Sequence, residues 1–340
     1  MKRILPFVLI LFSWGCSLTA QTPALPTLQP TAVLPTAAAQ HLPTLPPPAT
    51  ATTQPVTTAV SPTNTAPAPP TETAVIPPTT LPTPEPAAAV TAVPPTQSTI
   101  GFSSQGRPLI SYQFGSGPDA IVLIGGIHGG YEWNTITLAY RAIDYFTARP
   151  DAIPASVTLY IIPAANPDGQ YYATGQNGRF SAADVLDDGL NGRLNGHNVD
   201  LNRNWDCKWQ EIGLWRDQPI SGGAFPFSEP ETVALRDFLV NLNPYAVVFW
   251  HSAANGVYPG GCHELYQPAY TLAQIYGLPA GYPVYERFTS YKVTGDATDW
   301  LGLQGIPAIS VELLNHTDDD WAKNLKGITA VLNRYQEIDN

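Results

Sequence analysis

The sequence predicts an α/β fold with a mixed, mostly parallel central sheet flanked by helices, and three observations lead there. Four continuous apolar runs, residues 120–124, 157–162, 246–250 and 308–314, have the length of strands buried on both faces of a parallel sheet. Helix-period patterns lie between them, as strands alternating with helices require. Each run ends on or near a polar or titratable residue, at the carboxyl edge where open α/β sheets bind ligands.

The elements follow in chain order. Met1-Lys2-Arg3 precedes an apolar run over residues 4–12 and then Ser13-Trp14-Gly15-Cys16. A basic start, a short apolar core and a small terminal residue predict a secretory signal over residues 1–16. The run is too short to span a membrane comfortably. Gly15-Cys16 also resembles a bacterial lipoprotein cleavage box, in which Cys16 becomes the lipidated first residue. Ser13 and Trp14 depart from that box, so a plain cleaved signal is the alternative. Either way the chain is expected outside the cell, lipid-anchored at the surface or free.

Residues 17–97 carry 20 of the 36 prolines and no Phe, Trp or Tyr. Such a stretch has too little apolar surface to offset the entropy of ordering, and it predicts a disordered Pro/Thr/Ala-rich stalk. In polyproline II, at about 3.1 Å per residue, it reaches on the order of 200 Å. Lys2, Arg3, Glu72 and Glu85 cancel within residues 1–97, so the net charge of −11 belongs to the rest of the chain. An acidic domain repels phosphate backbones, which argues against nucleic acid as a partner. Residues 98–340 are long enough for one sizeable domain, expected to act as a monomer.

Within that domain, residues 106–114 read as an opening strand. Residues 133–146 read as a helix. A second helix is expected from Ser228, where Ser228 and Glu231 have capping-box spacing. A last helix is expected over residues 319–335, with Asp318–Asp320 at its solvated start. Cys207 and Cys262 remain once Cys16 is lipidated or removed. An exported compartment is oxidising, so they are expected to form one disulfide, with two buried free thiols as the alternative.

The chemistry stands at the strand ends. A hydrolytic zinc site needs about three protein ligands and an open position. His128 and Glu132 lie four apart where a strand gives way to a helix, so they share a face. Gly129-Gly130 lets the backbone adapt between them. His251, at the end of another strand, can supply the third ligand.

These residues sit in longer motifs. Gly126-Ile127-His128-Gly129-Gly130-Tyr131-Glu132-Trp133, Asn166-Pro167-Asp168-Gly169 and Val199-Asp200-Leu201-Asn202-Arg203-Asn204-Trp205 come first. Trp250-His251-Ser252, the segment 291–300 and Val311-Glu312-Leu313 follow. In this order the domain resembles the zinc metallocarboxypeptidases of the carboxypeptidase A family over about residues 100–335. One departure is a third residue between His128 and Glu132, where the family has two. The resemblance implies one Zn2+ held by His128, Glu132 and His251. It implies Glu312 as general base and Arg193 facing the oxyanion, with Arg179 as runner-up. It further implies that Asn202, Arg203 and Tyr291 bind the terminal carboxylate and that Asp200 accepts from a ligating imidazole. Thr298 falls at the base of the side-chain pocket. A neutral Thr predicts no strong preference for terminal Lys or Arg, unless Asp296 changes that.

The implied substrate is a peptide cleaved at its carboxyl end. Two alternatives stand beside it: an amidase or endopeptidase acting on peptidoglycan stem peptides through the same site, and a catalytically inactive peptide-binding module.

Overall fold

The computed structural model describes residues 92–186 and 192–338. The expected signal segment, Cys16 and the expected stalk up to residue 91 lie outside the described residues. No helix among the described residues is long and apolar enough to cross a membrane.

The seven-stranded sheet has the order β1-β2-β4-β3-β7-β9-β8. Its centre is parallel: β4 (Val157–Ile162), β3 (Asp119–Ile124), β7 (Ala246–Ser252) and β9 (Ala308–Leu313). Antiparallel strands flank this core, with β1 (Thr96–Phe102) and β2 (Pro108–Phe114) on one edge and β8 (Gly256–Pro259) on the other. A separate hairpin joins β5 (Ile212–Trp215) to β6 (Gln218–Ser221).

Alternate side chains of the central strands bury into two layers. Ile121, Leu123, Val248 and Ile309 pack with helices α1 (Trp133–Ala148), α4 (Gln267–Ala280) and α6 (Trp321–Arg334). Val122, Ile124, Val247 and Phe249 pack with α3 (Pro230–Leu242) and α5 (Ala297–Leu303). Both faces are covered, which is why these strands read as unbroken apolar runs. The short α2 (Pro167–Thr174) follows β4, with the Asn166 side chain accepting from Gly169 N at its start.

Three expectations change. Strand β1 begins at Thr96, two residues inside the range given to the stalk, because Thr96-Gln97-Ser98-Thr99 pairs with β2. The opening strand of residues 106–114 is therefore the second strand of the sheet. The capping box at Ser228 does not form. Glu229 is the N-cap of α3 and no side chain caps it. Ser228 Oγ instead donates to Glu229 at 2.7 Å, and Glu231 accepts from Ser104 N at 2.9 Å.

Candidate metal centre and substrate cleft

His128 and Glu132 come from the turn between β3 and α1. His128 precedes a single turn of 3-10 helix, Gly129–Glu132, which runs into α1 at Trp133. Gly129 has φ +46°, and a Cβ there would strike Gly192 and Gly169. A Cβ on Gly130 would overlap the Ala173 side chain. The tighter turn absorbs the extra residue, so His128 Nδ1 still meets Glu132 Oε1 at 2.8 Å.

His251 arrives from the end of β7. Its Nδ1 lies 3.2 Å from Glu132 Oε2 and 3.4 Å from His128 Nδ1. One ligand atom from each of the three residues falls within 4.8 Å of the others, and all three residues are buried. Glu132 Oε2 is buried with no hydrogen-bond partner among the described residues, despite its closeness to His251. Two imidazole nitrogens and an orphaned carboxylate oxygen facing one point are the donor set of a three-ligand zinc site. The residues fit the metal.

Burial opposes the charge of Glu132, but His128 and His251 outweigh it and hold the carboxyl well below its usual range. Burial also works against a charge on His251, and Glu132 reverses the effect, raising its pKa. Behind the ligands, His128 Nε2 lies 2.9 Å from Arg193 Nη2 and 3.4 Å from Asp200 Oδ1. Nε2 therefore faces a guanidinium and a carboxylate at once, with Nδ1 turned to Glu132. Arg193 in turn donates to Asp200 from Nη2 at 2.7 Å and from Nε at 3.0 Å. Asp200 is fully buried, and its charge survives because Arg193 and His128 outweigh the burial. Arg179 sits elsewhere, in a surface pair with Asp144 at 2.7 Å.

Glu312 is placed by sheet register. The parallel pairing of β7 with β9 sets it opposite His251. Neighbouring strands lie about 4.8 Å apart, and register partners face the same side. Its Oε2 accepts from Ala254 N at 3.1 Å. Burial pushes its pKa up; His251 works against that shift and Glu132 adds to it. The peptide between Ser252 and Ala253, after His251, is cis.

Asn202 and Arg203 lie on the turn Leu201–Arg203, where Asp200 accepts from Asn202 N at 2.9 Å. Asn202 is held by Asp296 Oδ2 at 2.7 Å and by Ala297 N at 2.9 Å. Arg203 is 2% exposed. Its Nε donates to Leu214 O at 2.9 Å and its Nη1 to Asn202 O at 2.7 Å. Among the described residues it has no carboxylate in ion-pair range. The Tyr291 ring stands 6.0 Å from this guanidinium, and burial raises the pKa of its hydroxyl.

Thr298 lines the same cleft of about 330 Å³, with His128, His251, Arg203, Tyr291 and Glu312. Its hydroxyl donates to Asp296 Oδ1 at 2.7 Å. Asp296 and Asp299 both line the cleft, so its floor is more acidic than Thr298 alone implies. Asp299 accepts from Gly261 N at 2.9 Å, and burial, reinforced by Asp296, pushes its pKa up to about 7. Cys207 and Cys262 are joined in a disulfide that ties the Arg203 segment to this wall.

Sequence reasoning missed Tyr131, Trp215, Arg216 and His316, which form a second face of the site. The Tyr131 ring lies 5.2 Å from Trp215 and 4.7 Å from His316. His316 Nδ1 meets Ser252 Oγ at 3.0 Å, beside the ligand His251. Tyr131 could have been found, since it immediately precedes Glu132; the other three stand in no motif.

A family model described as zinc carboxypeptidase matches residues 95–329, well over half of the chain. The chain belongs to the zinc carboxypeptidase family. Carboxypeptidase B of Astacus astacus is 31% identical over 180 residues, covering 48% of this chain and 56% of that protein. Murein peptide amidase A of Escherichia coli K12 is 25% identical over 270 residues, covering 75% of this chain and 96% of the amidase. The chain thus spans about half the length of the carboxypeptidases it matches and nearly all of the amidase. The crystal structure of thrombin activatable fibrinolysis inhibitor superposes with a TM-score of 0.59 at 19% identity, covering 72% of this chain and 70% of that one. That likeness concerns the fold.

Proposed function

We propose that this zinc carboxypeptidase-family domain hydrolyses the C-terminal peptide bond of peptides, as a monomer outside the cell. The observation that carries the reading is Arg203: a buried guanidinium, without a carboxylate of its own, one residue from the cleft's Asn202. A buried cation left with carbonyl partners only is costly, and a substrate's terminal carboxylate satisfies it with charge-assisted hydrogen bonds. Tyr291 closes over the same group.

Zinc, held by His128, Glu132 and His251, supplies Lewis acidity and lowers the pKa of water. Glu312 takes a proton from the attacking water and passes it to the leaving amine. Its raised pKa suits a group that must both accept and release a proton. Asp200 orients His128, and Arg193 stands beside the ligands where the carbonyl oxygen gains charge.

A second reading is hydrolysis of cell-wall stem peptides by the same residues. The near-complete coverage of a murein peptide amidase favours it. Export, and anchoring through a lipidated Cys16, rest on the Met1–Cys16 pattern; palmitate labelling of Cys16 tests them.

The test of the reaction combines metal analysis with mass spectrometry of peptide ladders and muropeptides. Wild type is expected to bind one zinc and shorten peptides from the carboxyl end. Glu312→Gln is expected to keep zinc and lose roughly 10²–10⁴ in kcat, whereas His251→Ala is expected to lose the metal. Unchanged turnover in Glu312→Gln overturns the mechanism.

A further inference from the structure

We propose that the tip of the β5–β6 hairpin is an anion subsite, centred on Arg216, for a carboxylate on the residue preceding the cleaved bond. The proposal rests on the peptidase reading of the site.

Arg216 has φ +57°, a left-handed conformation that side chains other than Gly, Asn and Asp rarely adopt. Its guanidinium stands 5.2 Å from the Trp215 ring centroid, and its Nη2 donates to the Tyr131 hydroxyl at 3.4 Å. Tyr131 is buried and adjoins the ligand Glu132. The arginine is exposed to solvent and rests against two aromatic groups beside the metal centre. Among the described residues it has no carboxylate in ion-pair range. Arg107, Arg141, Arg179, Arg236 and Arg334 each have one within 2.8 Å. Arg149, Arg203, Arg216 and Arg287 have no such partner among the described residues; Arg203 and Arg287 line the cleft, and Arg216 stands on the Tyr131 face beside it.

The hairpin also fixes where along a substrate Arg216 acts. Leu214 O accepts from Arg203 Nε, so the hairpin is keyed to the residue that holds the terminal carboxylate. Arg216 stands two residues farther along the chain, at the turn just past the end of β5. Neither Tyr131, Trp215 nor Arg216 lines the cleft that takes the terminal side chain. A substrate with its terminus on Arg203 and its scissile bond at the metal therefore runs onto the Tyr131–Trp215–Arg216 face. A guanidinium there recognises a carboxylate. That carboxylate belongs either to the side chain of an α-linked acidic residue or to the free α-carboxylate of a γ-linked glutamyl residue.

The test compares three blocked peptides with one terminal residue, preceded by α-linked Glu, γ-linked Glu or α-linked Gln. In the zinc-loaded full chain, at low salt, kcat/KM for one of the Glu peptides is expected to exceed that for the Gln peptide roughly ten- to a hundredfold. Which Glu peptide is favoured identifies the source of the carboxylate. Arg216→Gln is expected to collapse the ratio toward one, and Arg216→Lys to restore part of it. A wild-type ratio near one, or a ratio untouched in Arg216→Gln, overturns the subsite. Calorimetric binding of the same peptides to zinc-loaded Glu312→Gln separates this from the reaction itself. If no peptide is cleaved yet binding still discriminates through Arg216, the peptidase reading fails and the subsite stands.

Discussion

Arg203 and Asp299 show how single residues in this site are set against their own stability. Arg203 was legible in the sequence because it stands in an uninterrupted motif; its lack of an ion-pair partner became visible only in the fold. Asp299 was not singled out, since its environment comes from three distant segments. Its carboxyl accepts from Gly261 N and lies near Asp296, and burial raises its pKa to about 7 from 3.8. The charged form is therefore disfavoured in the folded state. The penalty is absent below the unfolded pKa near 4, grows between about pH 4 and 7, and is full above that. Asn keeps an oxygen for the Gly261 amide but carries no charge. Asp299→Asn is expected to melt about 3–6 °C above wild type at pH 8 and at the same temperature near pH 4. Equal melting temperatures at both pH values would count against the buried charge. Arg193 and Arg179 illustrate the limit from the other side: both looked available in a variable segment, and only the fold puts one against His128 and the other on the surface with Asp144.

At the scale of elements, what was legible follows from burial. The four central strands are covered on both faces, so their apolar runs announced them, and the polar residues ending them marked the site. Strand β1 and the β5–β6 hairpin are largely exposed and show no apolar alternation. Helix α4 carries Gly277 and Pro279 near its end, and α5 has only seven residues, so neither gave a helix-length pattern. The segment after the single turn Leu201–Arg203 and the loop after β8 belong to no regular element, and the Cys207–Cys262 bridge joins them across a sequence separation of 55. Closing a loop of that size restricts the unfolded chain by about 4 kcal/mol in the chain-entropy account. The double variant Cys207→Ser, Cys262→Ser is expected to melt roughly 10 °C lower. It should also show a raised KM, since the wall beside Thr298 and Asp299 loses its tie to Arg203. An unaltered melting temperature would show that packing alone holds the two segments together.

At the scale of the whole molecule, composition divides the chain more sharply than any element boundary. Residues 17–97 contain no aromatic residue, and the charges of residues 1–97 cancel. Every buried apolar residue of the described core lies at or after Leu109. The earliest described backbone contact is Val93 N to Thr147 O, and sheet pairing starts at Thr96. A chain beginning at residue 92 therefore retains the core, both edges of the sheet, the metal ligands and the disulfide. It is expected to melt within about 1 °C of the full chain, because the Pro/Thr/Ala-rich composition before residue 92 offers little apolar surface for burial. Its kcat/KM on soluble peptides should also match. A drop in melting temperature of several degrees would mean that residues before 92 bury part of the domain. A loss of turnover at constant melting temperature would instead place some of them in the substrate cleft.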